Sequence, residues 1–191
     1  RNHAECVVQA ASPADLSNML GYNFRMGEIE AAIALVQLGK LKERVASRQR
    51  AAAELNAALA GLEGLRTPVV SKNCTHVYYV YGLHIDIDTL GVSRQRIAAA
   101  LRAEGVPGVM TGYQNVHMYP LFQQKIAYGT SGFPWTSPYC TREVSYDFGI
   151  CPVAEDLHTR TFIGLNLCMC EFQSSDIQRV AMAFRKIWGQ L

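Results

Sequence analysis

The chain has 191 residues, of which 49% are hydrophobic and 18% are charged, and its formal net charge at pH 7 is +2. A chain of this length and composition can bury a substantial core, and its near-neutral balance does not indicate a nucleic-acid or anionic-membrane partner. No apolar run approaches the ~20 residues that a membrane-spanning helix needs. We therefore expect a cytoplasmic protein that binds neither nucleic acid nor membrane.

The six cysteines do not predict a disulfide scaffold, because they are sparse in a chain of this length. Cys168-Met169-Cys170 is a C-x-C pair without a second pair or a suitably spaced histidine. A structural zinc site needs about four such ligands. We expect reduced thiols and no metal site.

The first strong helical pattern begins at Glu28. Apolar residues then recur close to every 3.6 positions: Ile29, Ile33, Val36, Leu41 and Val45. A second amphipathic stretch contains Ala52, Leu55, Leu59 and Leu62 and ends near the glycines at 61 and 64. One long or kinked helix of this kind is unusual in a compact domain and is typical of a connector between domains. The chain opens on Arg1 rather than Met, and we expect it to be part of a longer protein.

Strands and helices alternate after Pro68. Strict alternation predicts a strand from His76 to Ile87, and Ser93 is a plausible N-cap for a helix that Gly105 would close. A short strand is expected over residues 106–110. Residues 111–150, rich in aromatics, glycine, proline and serine, predict a long loop of the kind that often carries function.

Three further elements complete the pattern. Pro152 predicts the first turn of a short helix that reaches Arg160, and residues 161–169 alternate as a strand. Ser175 and Gln178 have capping-box spacing for a last amphipathic helix. The order predicts an α+β module, with a small, mainly antiparallel sheet covered by helices on one side.

The segment Gly21-Tyr22-Asn23-Phe24-Arg25-Met26-Gly27-Glu28 is the densest unusual cluster. A glycine-flanked turn before a helix presents free N–H groups and the positive end of the helix dipole to an anion. The Asn23 amide and the Arg25 guanidinium are suited to bind a phosphate. The same residues also fit a purely structural role, in which Asn23 is a helix cap and Arg25 pairs with Glu28.

Several motifs, in order along nearly the whole chain, resemble the DegT/StrS family of sugar aminotransferases. GYNFRM with the following E-I-E-A-A is similar to the family's GYNYRM-x-E-x-x-AA segment, and Gln37-Leu38 to its QL pair. Further matches are His76-Val77-Tyr78-Tyr79, Gly105-Val106-Pro107, His117-Met118-Tyr119-Pro120, the P-V-A-E-D-L helix from Pro152 and the Asp176-Ile177 pair.

This resemblance implies the C-terminal part of a fold-type-I transferase that uses pyridoxal 5'-phosphate (PLP). Residues 1–27 would be a remnant of the large PLP-binding domain, 28–66 the connector helix and 67–191 the small domain. Asn23 would reach the PLP phosphate of the neighbouring subunit in a homodimer that shares its active sites, assisted by Arg25 and Tyr22. His117 and Tyr113 would lie near the substrate, although His117 could equally be a hydrogen-bonded loop residue.

The resemblance also implies that the catalytic lysine lies outside this chain. In the family, the lysine that forms the Schiff base with PLP precedes the stretch that Arg1-Asn2-His3 matches. The aspartate that pairs with the pyridinium nitrogen would also lie upstream. The five lysines present match no cofactor motif; they are Lys40, Lys42, Lys72, Lys125 and Lys186.

The implied reaction transfers an amino group from an amino acid, commonly glutamate, to a keto-sugar that is usually nucleotide-linked. A PLP-dependent sugar dehydratase of the same family, in which histidine replaces the lysine, is one alternative. A non-catalytic fragment with a dimerisation or regulatory role is another, and these 191 residues alone favour it. An unrelated α+β binding protein is the third.

Overall fold

The computed structural model describes residues 25–112 and 114–191, and these fall into two compact units, one ending at Arg44 and one spanning Val45–Leu191. The first long element, α1, is a single helix over Glu28–Leu59. Its first half belongs to the first unit and carries exposed apolar side chains, among them Ile29, Ile33 and Leu35. Within the described residues, none of the helices combines the length and the apolar character required to cross a bilayer.

The helix α1 ends earlier than the predicted boundary at residue 66. Gly61 adopts a left-handed conformation at φ 80°, which turns the chain out of the helix. Arg185 donates hydrogen bonds to the carbonyl of Ala58 at 2.7 and 3.0 Å. This carbonyl lies in the last turn of α1, where carbonyl groups have no partner within the helix. The chain then enters strand β1, Leu65–Arg66, rather than continuing as helix.

The second unit contains the small antiparallel sheet that the sequence predicts. Its strands are β1, β2 (Tyr81–Ile85), β3 (Val109–Met110) and β4 (Phe162–Leu165), in the spatial order β1-β2-β4-β3, and all three pairings are antiparallel. The apolar residues that alternate along the two central strands are buried: Tyr81, Leu83, Ile85, Ile163 and Leu165. In β4, Gly164 between them is buried as well. The alternation of the sequence is confirmed over these residues.

The two central strands are nevertheless shorter than predicted. Tyr78 has φ 49°, and its backbone N–H donates to His76 Nδ1 at 2.8 Å. Residues 76–80 accordingly do not belong to β2, which begins at Tyr81. At the other end, Ile87 begins a short helix, α2 (Ile87–Leu90), which Asp86 caps through the amide of Thr89. Strand β4 likewise ends at Leu165 rather than at Met169, which is exposed.

Helices cover the apolar face of the sheet. Helix α3 runs over Arg94–Ala103, with Ser93 as its side-chain cap and Gly105 in a left-handed conformation just after its end, as predicted. The last helix, α6, runs over Ser174–Trp188, and its capping box is formed by Gln173 and Asp176 rather than by Ser175 and Gln178. These helices and the second half of α1 contribute much of the core: Ala51, Ala52, Leu55, Leu59, Ile97, Ala98, Leu101, Ile177, Val180, Phe184 and Ile187. Each large apolar side chain buried here contributes about 1.5–3 kcal/mol to folding.

The described residues between β3 and β4 contain only short helical pieces. They are a 3₁₀ turn over Val116–Met118, helix α4 (Pro120–Gln123), helix α5 (Pro152–Asp156) and a π-helical turn over Leu157–Thr161. Pro120 and Pro152 each stand at the start of a helix, where a missing N–H costs nothing. The other described residues of the segment form loops, as the sequence predicts. The candidate site lies in this segment.

Candidate functional site

The structure describes two of the five predicted site residues. Tyr22, Asn23 and Tyr113 lie outside the described residues. Arg25 is exposed and lies three positions before the first residue of α1. The first turn of that helix carries Glu28 and Glu30, the residue type that a helix N-terminus favours. The start of α1 at Glu28 agrees with the predicted boundary.

His117 lies in the 3₁₀ turn and is bound to a side chain from a distant part of the chain. Its Nε2 atom is 2.8 Å from Oε1 of Glu155, and the two side chains are only 11% and 2% exposed. The contact joins residues that are 38 positions apart. His117 is therefore a hydrogen-bonded loop residue, one of the two interpretations that the sequence allowed.

Glu155 is the centre of a polar cluster that the sequence did not identify. Its carboxylate accepts hydrogen bonds from the backbone N–H of Gly149 at 2.8 and 2.9 Å and from that of Cys151 at 3.2 Å. The backbone of residues 149–151 thus curls around a carboxylate that is buried next to His117. The only sequence signal was the position of Glu155 in the P-V-A-E-D-L motif.

The charge of Glu155 is stabilised by these donors. Burial alone would raise the pKa of its carboxyl, but the N–H groups of Cys151 and Gly149, together with the hydrogen bond and the charge of His117, lower the pKa below its ordinary value. The side chain is consequently an anion at neutral pH. An ionised buried carboxylate can accept hydrogen bonds from several segments at once, and here it joins the 116–118 turn, the 149–151 loop and α5.

A second side chain, Gln123, also binds the turn that carries His117. The Gln123 amide donates hydrogen bonds to the carbonyl of His117 at 2.7 Å and to that of Tyr146 at 2.6 Å. Tyr146 in turn accepts a hydrogen bond from the indole of Trp135 at 3.0 Å, and both rings pack with Phe122. The aromatic residues of the long loop therefore anchor it to the turn that carries His117.

The π-helical turn is held by a buried arginine. Arg94 Nη1 donates to the carbonyls of His158, Leu157 and Phe162 at 2.7, 3.1 and 3.4 Å, and the residue is 5% exposed. Burial lowers the pKa of this guanidinium, which nevertheless stays charged at neutral pH. π-Helical turns are often found at functional sites.

A shallow cavity of about 220 Å³ lies beside this turn, lined by Gly112, Asn115, Ala154, Leu157, His158 and Phe162. His158 Nδ1 is buried and has no hydrogen-bond partner among the described residues. A Cβ atom on Gly112 would lie 3.3 Å from that nitrogen, so the glycine allows the histidine to approach the backbone. The lining is mainly apolar.

The described residues hold no group of histidine, cysteine and acidic side chains that could bind a metal ion. Five cysteines are free thiols, namely Cys74, Cys140, Cys151, Cys168 and Cys170, while Cys6 lies outside the described residues. Of the five lysines none is buried, and Lys186 is paired with Glu104 at 2.7 Å.

Comparison with known proteins shows which family this chain belongs to. Residues 3–183 match the model of the DegT/DnrJ/EryC1/StrS aminotransferase family. The spore coat polysaccharide biosynthesis protein SpsC of Bacillus subtilis is 30% identical over 125 residues, which is 65% of this chain and 32% of that protein. The part of this chain that matches thus spans about a third of the length of SpsC.

Solved structures share the fold. The chain matches S. venezuelae DesV with a TM-score of 0.69 at 19% identity, covering 99% of this chain and 43% of that one. It matches Helicobacter pylori PseC, an aminotransferase involved in the biosynthesis of pseudoaminic acid, with a TM-score of 0.59 at 18% identity, covering 91% of this chain and 40% of that one. The fold is that of a C-terminal domain of PLP-dependent aminotransferases, and the chain belongs to the DegT/DnrJ/EryC1/StrS aminotransferase family.

Proposed function

We propose that the full-length protein is a PLP-dependent aminotransferase that moves an amino group from an amino acid, glutamate being the expected donor, to a nucleotide-linked keto-sugar in the cytoplasm. The family match over residues 3–183 is the observation that carries this proposal. The name of SpsC, with its role in polysaccharide biosynthesis, and that of PseC support a sugar as acceptor. Bound PLP would supply the electron sink for the transfer.

In this proposal, the segment before α1 binds the phosphate of PLP in the partner subunit of a homodimer, through Asn23 with help from Arg25 and Tyr22. Support comes from the observed helix start at Glu28, because the dipole and free N–H groups of a helix N-terminus favour an anion. The exposed guanidinium of Arg25 provides donors of the type that a phosphate needs. The donor chemistry of this end of the helix thus fits the phosphate.

The dimer is supported by the surface of α1. Ile29, Ile33 and Leu35 are 77%, 59% and 72% exposed in this chain. Exposed apolar surface of this extent on one helix is usually covered in the functional protein. We propose that the rest of the full-length chain and the second subunit cover it.

The chain's contribution to the substrate side is the turn that carries His117, with Tyr113 just before it. The hydrogen bonds of Glu155 and Gln123 hold this turn in one position, which is what a substrate-contacting wall requires. We propose that the 191 residues alone are inactive, because none of their lysines is buried in a site that could hold PLP.

The phosphate role is tested in the full-length protein by comparing Asn23→Ala and Arg25→Ala with Arg96→Ala, which removes an exposed arginine of α3. After dialysis, the bound PLP is released with alkali and quantified by absorbance. We expect Asn23→Ala to lose most of its PLP, Arg25→Ala to lose part of it, and Arg96→Ala to retain the wild-type amount. Wild-type retention by Asn23→Ala would contradict the proposed role.

The inactivity of the isolated chain has its own test. PLP is added to the 191-residue protein, borohydride is added, and the mass of the protein is measured. We expect no covalent adduct at a specific lysine. A stoichiometric adduct that forms at micromolar PLP would show that the chain carries its own cofactor lysine.

A further inference from the structure

The buried carboxylate of Glu155 serves three donors through one oxygen atom. Oε1 accepts from the N–H groups of Gly149 at 2.9 Å and Cys151 at 3.2 Å and lies 2.8 Å from His117 Nε2. Among the described residues, Oε2 accepts only from the shared N–H of Gly149, at 2.8 Å. An ionised carboxylate has no proton to donate. The proton between His117 and Glu155 must therefore reside on Nε2.

From this geometry we propose that Glu155 is a positioning residue for His117. When the imidazole is neutral, Glu155 holds its proton on Nε2, and so it makes Nδ1 the nitrogen that is available to accept a hydrogen bond. A neutral imidazole has one donor and one acceptor nitrogen, and a hydrogen bond at one of them determines the role of the other. The backbone that carries the ring is also held, since Gln123 donates to the main-chain carbonyl of His117.

The class of group that His117 would bind follows from its tautomer. A nitrogen that only accepts can bind a hydroxyl or an amino hydrogen, and it cannot donate to a carbonyl or a phosphate oxygen. If the proposed function holds, the matching partner is a hydroxyl or the new amino group of the sugar. The assignment of Glu155 as the residue that sets the tautomer does not depend on that function.

Glutamine and leucine at position 155 distinguish a residue that accepts a hydrogen bond from His117 from one that only occupies volume. With its amide oxygen in the place of Oε1, Glu155→Gln keeps the acceptor for His117 and Cys151 and one of the two acceptors for Gly149. Glu155→Leu has a similar size and removes the acceptor. A positioning role predicts that glutamine preserves the state of His117 and that leucine does not.

The test uses the 191-residue chain labelled with ¹⁵N in its histidines, studied by long-range ¹H–¹⁵N NMR at pH 8. In the wild type we expect a proton on Nε2 of His117 that exchanges slowly with water, while Nδ1 is unprotonated. Glu155→Gln should retain this spectrum. In Glu155→Leu the Nε2 proton should exchange at least tenfold faster, while Glu143→Gln, an exposed control, should match the wild type.

Three results would overturn the assignment. One is a wild-type proton on Nδ1, either alone or in addition to the proton on Nε2. Another is a folded Glu155→Leu protein in which the Nε2 proton stays as protected as in the wild type. Loss of the Nε2 signal in Glu155→Gln, with the other histidine signals intact, would also contradict it. Should the leucine variant fail to fold, the wild-type spectrum and the glutamine variant still decide the question.

Failure of the proposed function would be seen in a different measurement. The PLP retention of full-length Asn23→Ala reports on the cofactor site, while the NMR spectrum reports on His117 alone. Unchanged PLP retention with the expected spectrum would leave Glu155 as the positioning residue of a site with another function. If Asn23→Ala lost its PLP as expected but the spectrum showed the His117 proton on Nδ1, only the role of Glu155 would be contradicted.

Discussion

Gly82 and Gly164 face each other across the β2–β4 pair, and the ring of Phe162 lies against both. A Cβ atom would be 3.0 Å from the ring at Gly82 and 3.1 Å from it at Gly164. Because neither position has a side chain, an aromatic ring can lie close to the backbone of the two central strands. Phe162 is also one of the residues that line the cavity beside the π-helical turn.

We expect Gly164→Ala to destabilise the protein by about 1–3 kcal/mol, since overpacking forces neighbouring groups to move. The new methyl would lie 2.8 Å from the Met110 and Val80 side chains. Gly39→Ala is the matched control, because a Cβ there meets nothing within 4 Å and alanine favours the helix. Urea unfolding of both variants measures the difference. Equal stability of Gly164→Ala and the wild type would show that the site is not tightly packed.

Arg94 should be required for the π-helical turn. Arg94→Leu removes the donor of three carbonyls, those of Leu157, His158 and Phe162, and a buried carbonyl without a partner costs about 1–3 kcal/mol. The exposed Arg96→Leu on the same helix should change the free energy of unfolding by no more than about 0.5 kcal/mol. Chemical denaturation measures both effects. Equal effects of the two substitutions would show that the Arg94 hydrogen bonds contribute nothing.

The stability of the protein should depend on pH through Glu155. The pKa of this carboxyl is lower in the folded protein than its ordinary value of 4.5. A group with a lowered pKa contributes stability above its ordinary pKa, and that contribution is lost as the pH falls below 4.5 towards the folded value. We therefore expect the difference in free energy of unfolding between wild type and Glu155→Gln to shrink as the pH is lowered from 7 to below 4.

Urea unfolding at several pH values measures this dependence. Glu143→Gln, a change at an exposed position, should follow the wild type at every pH. If the difference between wild type and Glu155→Gln were constant between pH 7 and pH 3.5, the carboxylate would not be stabilised by the fold.

Tyr81 should produce the opposite dependence at alkaline pH. Its side chain is fully buried and its hydroxyl donates to Asn56 Oδ1 at 2.7 Å; burial, with a smaller contribution from Tyr78, raises the pKa of this phenol far above 10.0. Above pH 10 the unfolded chain ionises Tyr81 while the folded chain keeps it neutral, so its contribution to stability is lost as the pH rises.

Tyr81→Phe therefore has two expected effects. At pH 7 it should cost about 1–3 kcal/mol, because Asn56 loses its donor. Between pH 10 and 11 the variant should lose less stability than the wild type does. Tyr139→Phe is the control, since Tyr139 is 93% exposed. If Tyr81→Phe and the wild type lost the same amount of stability at alkaline pH, groups other than Tyr81 would be responsible for the loss.

The local elements could be predicted from the sequence because their signals lie within a few residues. Ser93 and Gly105 bound α3 as expected, and the alternation around Leu83 and Ile163 identified the buried faces of the central strands. The order of motifs along the chain was specific enough to indicate the family, which the match over residues 3–183 confirmed. The roles of Asn23, Tyr22 and Tyr113 stay predictions, since these residues lie outside the described part of the chain.

Other features depend on contacts between distant residues. The sequence could not show that His117 meets Glu155, because the residues are 38 positions apart and each alone resembles an ordinary loop or helix residue. At the end of α1, the carbonyl of Ala58 similarly finds its donor in Arg185, a residue of the last helix. Patterns among neighbours determined which segments became helix or strand. The pairing of buried polar groups was decided only when tertiary packing brought donors and acceptors together, because a buried group must find its partner wherever the fold places one.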